Sequence, residues 1–323
     1  MSCNYPLIAK RGELLPSGKH KYIPIARYDS YDGRIEPDMI KVPCGKCLGC
    51  RADYTRKWAD RMILELDHSK KAVFCTLTYD NDHLPVLYQV TTGQTEMTLN
   101  KRDYQLFMKR LRKRFRDKEI RVYATGEYGV SSQRPHYHLI LFGLGLDDFP
   151  DLQPQGMNEL GHKYYRSDWL AQNVWKNGFC LLAEVSYKTC AYVAKYVRKK
   201  QFGLYSDEFI DRMRSPVFCE SSRNPGIGMY YPVEHPDFAE KSKYYFSDQN
   251  GSVEVHFPDA FLRWLGEHDP ELADSIKNER KSCAQNSEML KLFQTDLSSM
   301  DLYEMNEKKL QKTEAYIDSF SLI

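Results

Sequence analysis

The sequence predicts an α+β fold with a mainly antiparallel central sheet and helices against one face, and three observations carry that reading. Elements follow one another as strand, helix, strand, strand, helix, strand, helix, with hairpin-length connections in the middle. Leu139-Ile140-Leu141-Phe142 is wholly apolar, which suits a strand buried on both faces in the middle of a sheet. Residues 52–66 and 99–116 instead repeat apolar side chains at helical spacing. With 323 residues the chain can bury a sizeable core. The expected organisation is a Cys-rich N-terminal loop region (1–50), a central domain (51–230) and an appended helical segment (231–323).

Taken in order, Cys44, Cys47 and Cys50 form a CxxCxxC run broken by Pro43, Gly45 and Gly49. Thiolates at this spacing can share one zinc ion, but a closed structural site needs a fourth ligand, for which Cys3 is the candidate. The alternative is a tight turn with free thiols. Nine cysteines are too sparse for a disulfide scaffold in a chain of this length, and an odd number cannot all pair within it. Residues 4–43 then make a polar loop clipped at its base, because Pro6, Pro16, Gly18, Pro24 and Gly33 argue against long helices. The stretch from Gly12 to His20 superficially resembles a phosphate loop. It fails the spacing, with five residues between Gly12 and Gly18 where four are required, and His20 stands where Ser or Thr would hold magnesium.

Residues 52–66 read as an amphipathic helix with Tyr54, Trp58, Met62 and Ile63 near one stripe and Arg51, Arg56, Lys57 and Arg61 as a basic face. Residues 73–79 alternate as a strand, with Thr76 and Thr78 on one side and Cys75, Leu77 and Tyr79 on the other. The helix at 99–116 is capped by Asn100 and buries Tyr104, Phe107, Met108, Leu111 and Phe115. The formal charge is only +2, but residues 99–118 hold nine Lys or Arg against two Asp, and residues 267–323 hold twelve acidic against seven basic side chains. A basic middle and an acidic tail suggest a polyanion partner for one region only. Lys109, Arg110, Arg112, Lys113, Arg114 and Arg116 are the candidates for sequence-independent phosphate contact. A merely solvated helix face is the plain alternative.

Residues 120–125 form the next strand and end in Gly126-Glu127-Tyr128-Gly129; Arg134-Pro135-His136-Tyr137-His138 opens the apolar strand. Alternate side chains of a strand share a face, so His136 and His138 point the same way roughly 7 Å apart. If the two strands pair as a hairpin, Glu127 returns beside the imidazoles. A carboxylate there completes a set of three ligands that leaves positions open on Mg²⁺ or Mn²⁺. An HxH pair alone is weak, and Glu127 could be a turn carboxylate bonded to nearby amides. Residues 144–166 look like an Asp-, Pro- and Gly-rich insertion, 167–175 a short helix capped by Ser167, and 179–185 a strand. In the helix 190–200, Tyr192 and Tyr196 stand one turn apart on one stripe. They could pack against the sheet, or alternate as nucleophiles. A phenol titrates near about 10, so Lys195 or Lys199 would be needed to favour phenolate. Two histidines holding a metal, facing two interchangeable tyrosines, suit an enzyme that must cut a DNA strand and later rejoin it. Beyond residue 200 regularity declines: 219–228 reads as a loop, 257–266 as a short helix and 286–319 as one or two polar helices.

Phe74-Cys75-Thr76-Leu77-Thr78-Tyr79, His136-Tyr137-His138 and Tyr192 to Tyr196 run in the order of three motifs of the HUH endonuclease superfamily. More narrowly, they resemble the replication-initiation proteins of small single-stranded DNA phages of the microvirus and gokushovirus kind. The Cys44–Arg51 run and the Pro-Gly-Ile-Gly stretch at 225–228 are similar to the same phage proteins, and the resemblance covers roughly residues 40–230. It implies a ferredoxin-like or RRM-like palm with the histidines on a central strand and an acidic ligand on the preceding strand. It also implies nicking and rejoining of single-stranded or supercoiled origin DNA through a 5′-phosphotyrosine. No nucleotide-triphosphate signature occurs, so strand separation would fall to supercoiling or to a host helicase within the host replication machinery. An HUH transposase or relaxase has the same chemistry, and a non-catalytic zinc-containing DNA-binding protein is the rival of another class. No apolar run reaches the roughly eighteen residues of a membrane helix and no signal-peptide pattern opens the chain, so the expected location is the cytoplasm of the bacterial host.

Overall fold

The structure, a computed structural model, describes residues 3–15, 20–89, 93–129, 132–157, 163–201, 214–235, 237, 243–248 and 251–319. The chain runs β1 (Leu7–Leu14), β2 (His20–Arg27), β3 (Met39–Val42), α1 (Leu48–Ser69), β4 (Ala72–Tyr79), β5 (Val86–Gln89), β6 (Gln94–Met97), α2 (Lys101–Arg114), β7 (Arg121–Tyr128) and β8 (Pro135–Phe142). It continues through β9 (Gln153–Met157), β10 (Lys163–Arg166), the short α3 (Asp168–Leu170) with a wider turn to Trp175, β11 (Gly178–Glu184), α4 (Tyr187–Gln201) and β12 (Phe218–Ser221). Last come α5 (Tyr230–Glu234), β13 (Lys243–Asp248), β14 (Gly251–His256), α6 (Asp259–His268), α7 (Pro270–Gln294) and α8 (Ser299–Ser319). Two compact units result: one spans Met1–Tyr54 and Asp269–Ser321, the other Thr55–His268.

In the larger unit a seven-stranded sheet has the order β12-β7-β8-β4-β11-β10-β9, and every pairing is antiparallel. Its heart is the succession β4-α2-β7-β8-α3-β11 with the strands arranged β11-β4-β8-β7, a ferredoxin-like unit. As the apolar stripe of α2 requires, Tyr104, Phe107, Met108 and Leu111 are buried with Leu139 and Leu141 of β8 and with Trp175. Both crossover helices thus share one sheet face, as expected. The histidine face is also covered, by α1 and α4: Trp58 rests 4.9 Å from the Tyr123 ring and Tyr192 lies against His138. Asn100 caps α2 by accepting from the Arg102 amide at 3.1 Å, and Ser167 caps α3 by accepting from the Leu170 amide at 3.1 Å.

The supposed insertion at 144–166 contributes two further strands. Its Pro and Gly residues fit because β9 is the exposed outer strand, with a register shift opposite Tyr164 and Tyr165 between Pro154 and Gly156. The loop after β12 is held from α1 and β7. Glu65, fully buried, accepts from Arg121 and from the Gly228 amide, while Arg121 donates to the Pro225 carbonyl at 2.8 Å and Arg61 to that of Ile227 at 2.8 Å. Gly228 has φ +72°, and a Cβ there would meet the Arg61 carbonyl oxygen at 2.4 Å, so only glycine fits this approach.

The smaller unit corrects the expectation of a polar loop at 4–43. Strands β2-β1-β3 form an antiparallel sheet in which Ile8 and Ala9 are fully buried. Pro24 is tolerated because β2 is an edge strand and a bulge falls there, Ile8 facing Ala26 and Ala9 facing Pro24. Helix α7 begins at Pro270, well before residue 286. Asp269 caps it through the Leu272 amide at 3.0 Å, with proline at the first helical positions. Among the described residues no helix is long and apolar enough to cross a membrane.

Candidate active site

The hairpin β7–β8 sets the site by register: Glu127 faces His136 and Thr125 faces His138, while on the other side of β8 Thr78 faces His136 and Thr76 faces His138. Period-two alternation then puts Glu127, His136, His138 and Thr76 on one face. Oε1 of Glu127 lies 2.8 Å from His136 Nε2 and 2.9 Å from His138 Nε2. The other ring nitrogens are committed: Nδ1 of His136 is 3.1 Å from the Arg134 carbonyl oxygen, to which it can only donate, and Nδ1 of His138 is 3.0 Å from the Thr76 hydroxyl. With Nδ1 carrying the proton, each Nε2 turns a lone pair toward the carboxylate. Two lone pairs at such distances need a proton or a cation between them.

The donor set suits a cation. Two imidazole nitrogens and a carboxylate oxygen lie within 4.8 Å of one another. Their separations approach the roughly 3.0 Å edge of an octahedron with ligands at about 2.1 Å. Glu127 and His138 are buried, 3% and 2% exposed, whereas the side chain of His136 is 18% exposed, so the trio opens on the His136 side. Burial alone would raise the Glu127 pKa; hydrogen bonds from His136 and His138 and their charges outweigh it and hold the carboxyl at about 2. It stays ionised and ready to ligate.

Helix α4 brings the first tyrosine to this patch. Its start is fixed by a reciprocal cap in which the Ser186 amide donates to the Thr189 hydroxyl at 2.8 Å and the Thr189 amide to the Ser186 hydroxyl at 3.3 Å. Cys190, Val193 and Ala194 are buried, and the helix packs on β7, β8 and β12. The half-buried Tyr192 sets its ring edge-on to His138 at 5.3 Å and to Phe74 at 6.4 Å. Lys195 is half-buried. The side chains of Tyr196 and Lys199 lie outside the described residues.

The basic helix is placed elsewhere. α2 covers the face opposite the histidines, and part of its charge is spent on the fold: Arg110 donates to the Val174 and Trp175 carbonyls at 3.2 Å, Arg112 to that of Ile120, and Arg114 lies over the Trp169 ring at 5.3 Å. Lys109, Lys113 and Arg116 are exposed, Arg116 also donating to the Lys113 carbonyl. Two residues to which the sequence pattern assigns no role support the trio. Thr76 orients His138; Arg134 offers its carbonyl to His136 and ties its guanidinium to Asn81 and the Tyr79 carbonyl. The period-two grouping of Thr76 with Thr78 is the one available signal, and it needs the β4–β8 pairing to become a contact.

In the smaller unit the sulfurs of Cys3, Cys44, Cys47 and Cys50 all lie within 4.8 Å of one another, so Cys3 joins the CxxCxxC run. Cys47 is held low, at about 4, chiefly by the hydrogen bond from Cys3 and also by backbone amides, against burial. Burial is the largest influence on Cys50 and leaves it at about 12.

Residues 72–201 match the family model of the replication-associated protein ORF2. Over 313 residues, 94% of this chain and 92% of the relative, the chain is 29% identical to the replication-associated protein ORF2 of Spiroplasma virus 4. It is 33% identical over 165 residues to the replication-associated protein VP4 of Bdellovibrio phage phiMH2K, covering 49% of this chain and 48% of that one. With the replication-associated protein ORF4 of Chlamydia phage 1 it shares 31% over 188 residues, 55% of this chain and 43% of that one. No solved structure matches the chain significantly. Along almost its whole length the chain is thus similar to a phage replication-associated protein, and the segment from β4 to α4, which builds the histidine site, carries the sequence pattern of the replication-associated protein ORF2 family.

Proposed function

We propose that this chain is an origin-nicking initiator of rolling-circle replication, which cuts and rejoins single-stranded DNA through a 5′-phosphotyrosine. The observation that carries the reading is the 5.3 Å approach of the Tyr192 ring to His138, on the sheet face that holds His136 and Glu127. Mg²⁺ or Mn²⁺ bound by these three residues would polarise the scissile phosphate and steady the leaving oxygen. Three protein donors leave further positions for phosphate and water. The phenolate oxygen of Tyr192 forms the new bond to phosphorus in line as the bond to the 3′-oxygen breaks, and the departing strand takes up a proton as its 3′-hydroxyl. Lys195, three residues along the helix, favours loss of the phenol proton, as Lys199 does for Tyr196. One phosphoester replaces another, so no ATP is consumed. Tyr196, one turn on, cuts the regenerated origin, and the freed 3′-hydroxyl reseals the first strand.

The matches to phage replication-associated proteins support this assignment over a transposase or relaxase. They also support single-stranded or supercoiled origin DNA as substrate, a host helicase and replication machinery as partners, and the host cytoplasm as the setting. Lys109, Lys113 and Arg116 serve phosphate contact away from the chemistry, and the four thiols suit zinc.

The test is a labelled single-stranded origin oligonucleotide incubated with the full chain and Mn²⁺. A denaturant-stable adduct is expected, EDTA should abolish it, and the double variant Tyr192→Phe, Tyr196→Phe should not form it. An adduct in the double variant overturns the tyrosine assignment, and cleavage indifferent to EDTA overturns the metal's role. A chain that binds the origin yet never cuts it favours the non-catalytic rival. Each single variant should keep nicking but lose repeated turnover.

A further inference from the structure

We infer that Cys3, Cys44, Cys47 and Cys50 hold one zinc ion in a closed tetrathiolate site, and that this site is the hub of the N-terminal unit. The argument stands whether or not the chain nicks DNA. In a tetrahedron with zinc–sulfur bonds of about 2.3 Å, sulfur atoms are about 3.8 Å apart. Sγ of Cys3 and Cys47 are 3.8 Å apart, and those of Cys44 and Cys50 are 4.0 Å apart. A disulfide would need about 2.05 Å. The spacing is that of atoms arranged around a shared centre.

The surrounding backbone treats the sulfurs as anions. Amides of Lys46 and Cys47 point at Cys44 Sγ (3.4 and 3.3 Å), those of Cys50 and Asn4 at Cys47 Sγ (3.4 and 3.3 Å), and that of Cys44 at Cys3 Sγ (3.2 Å). Gly45 makes this turn possible at φ 74°. Four thiolates around a dication keep net negative charge, which these amides and the N-terminus of α1 offset. Four protein ligands leave no open position, which marks the site as structural.

The hub reaches beyond the turn. Asn4, next to Cys3, is fully buried; its side-chain oxygen accepts from Asn306 at 2.7 Å and its amide group donates to Glu307, both on α8. Strands β1–β3 lie within the loop closed between Cys3 and Cys44. One ion therefore joins the N-terminal segment, the cysteine turn, the start of α1 and, through Asn4, helix α8.

The experiment uses the full chain purified under reducing conditions without chelator. Elemental analysis should find about one zinc per chain, and cobalt(II) exchanged into the site should give the intense thiolate-to-cobalt charge transfer and strong visible bands of a tetrahedral sulfur site. Cys3→Ser should weaken zinc at least about tenfold in chelator competition and shift the visible bands; His138→Ala should leave zinc content unchanged. Releasing the ion with a mercurial should speed proteolysis within residues 269–319. Absence of zinc, cobalt bound without charge transfer, or unaltered cobalt bands in Cys3→Ser overturns the tetrathiolate. Proteolysis unaltered by release of the ion overturns the hub.

Discussion

The Glu127, His136 and His138 trio takes its donors from two strands locked in antiparallel register, whereas the four thiols come from one glycine-bearing turn and a residue 41 positions upstream. The trio mixes one hard oxygen with two imidazoles and stops at three. The thiol group is uniformly soft and reaches four. The supports differ as well: a hydroxyl and a carbonyl fix the imidazoles from behind, while backbone amides aim at the sulfurs. A site meant for chemistry must keep coordination open and its ligands in a narrow range of orientations; a site meant for folding must close and bear charge. The number of protein donors, more than their type, separates the two roles.

The contrast breaks first on His138→Ala. Removing one of only three donors should lower metal-dependent nicking by about a thousandfold with no change in tightly bound thiol-site metal; loss of both together would mean that the sites are not independent. A smaller effect should follow at Thr76. Thr76→Val leaves the shape but removes the bond to His138 Nδ1, and Mn²⁺ affinity followed by electron paramagnetic resonance should fall about 10- to 100-fold, with Thr76→Ser restoring it. Unaltered affinity in the valine variant would show that β8 alone orients the ring. The mildest effect concerns acid. The Glu127 carboxyl is depressed from 4.5 to about 2 on folding, so its stabilising contribution is complete above pH 4.5 and lost as pH falls toward about 2. Thermal melts of the metal-free chain and of Glu127→Gln should therefore differ most above pH 4.5 and converge in stronger acid; a constant gap would refute the coupling.

Both candidate sites are legible where chemistry follows a local period. The two-residue step of His136 and His138 and the hairpin return of Glu127 are properties of any paired strand, and the Cys44 to Cys50 run needs only a turn. Contacts that depend on strand order are not legible. Thr76 meets His138 because β4 is the neighbour of β8 on the side away from β7, which no spacing within 72–142 reveals. The placement of α2 escapes for the same reason: its apolar stripe says that it packs, and the face it packs on is set by the crossover. Pro24 in β2 and Pro154 in β9 conceal strands because edge pairing spares the missing amide. Apolar periodicity starts the polar α7 too late because its early turns carry few apolar residues, although Asp269 followed by Pro270 marks its start.

The two rims of the seven-stranded sheet are both poor templates for a further strand. On one side β12 is only four residues long; on the other β9 is exposed throughout, bulged, and interrupted by Pro154, which has no amide hydrogen to offer. Neither rim presents a straight run of donors and acceptors to a visiting strand. A protein made in quantity would then resist stacking into fibrils through its largest sheet, and copies that meet on DNA would have to recognise one another through side chains.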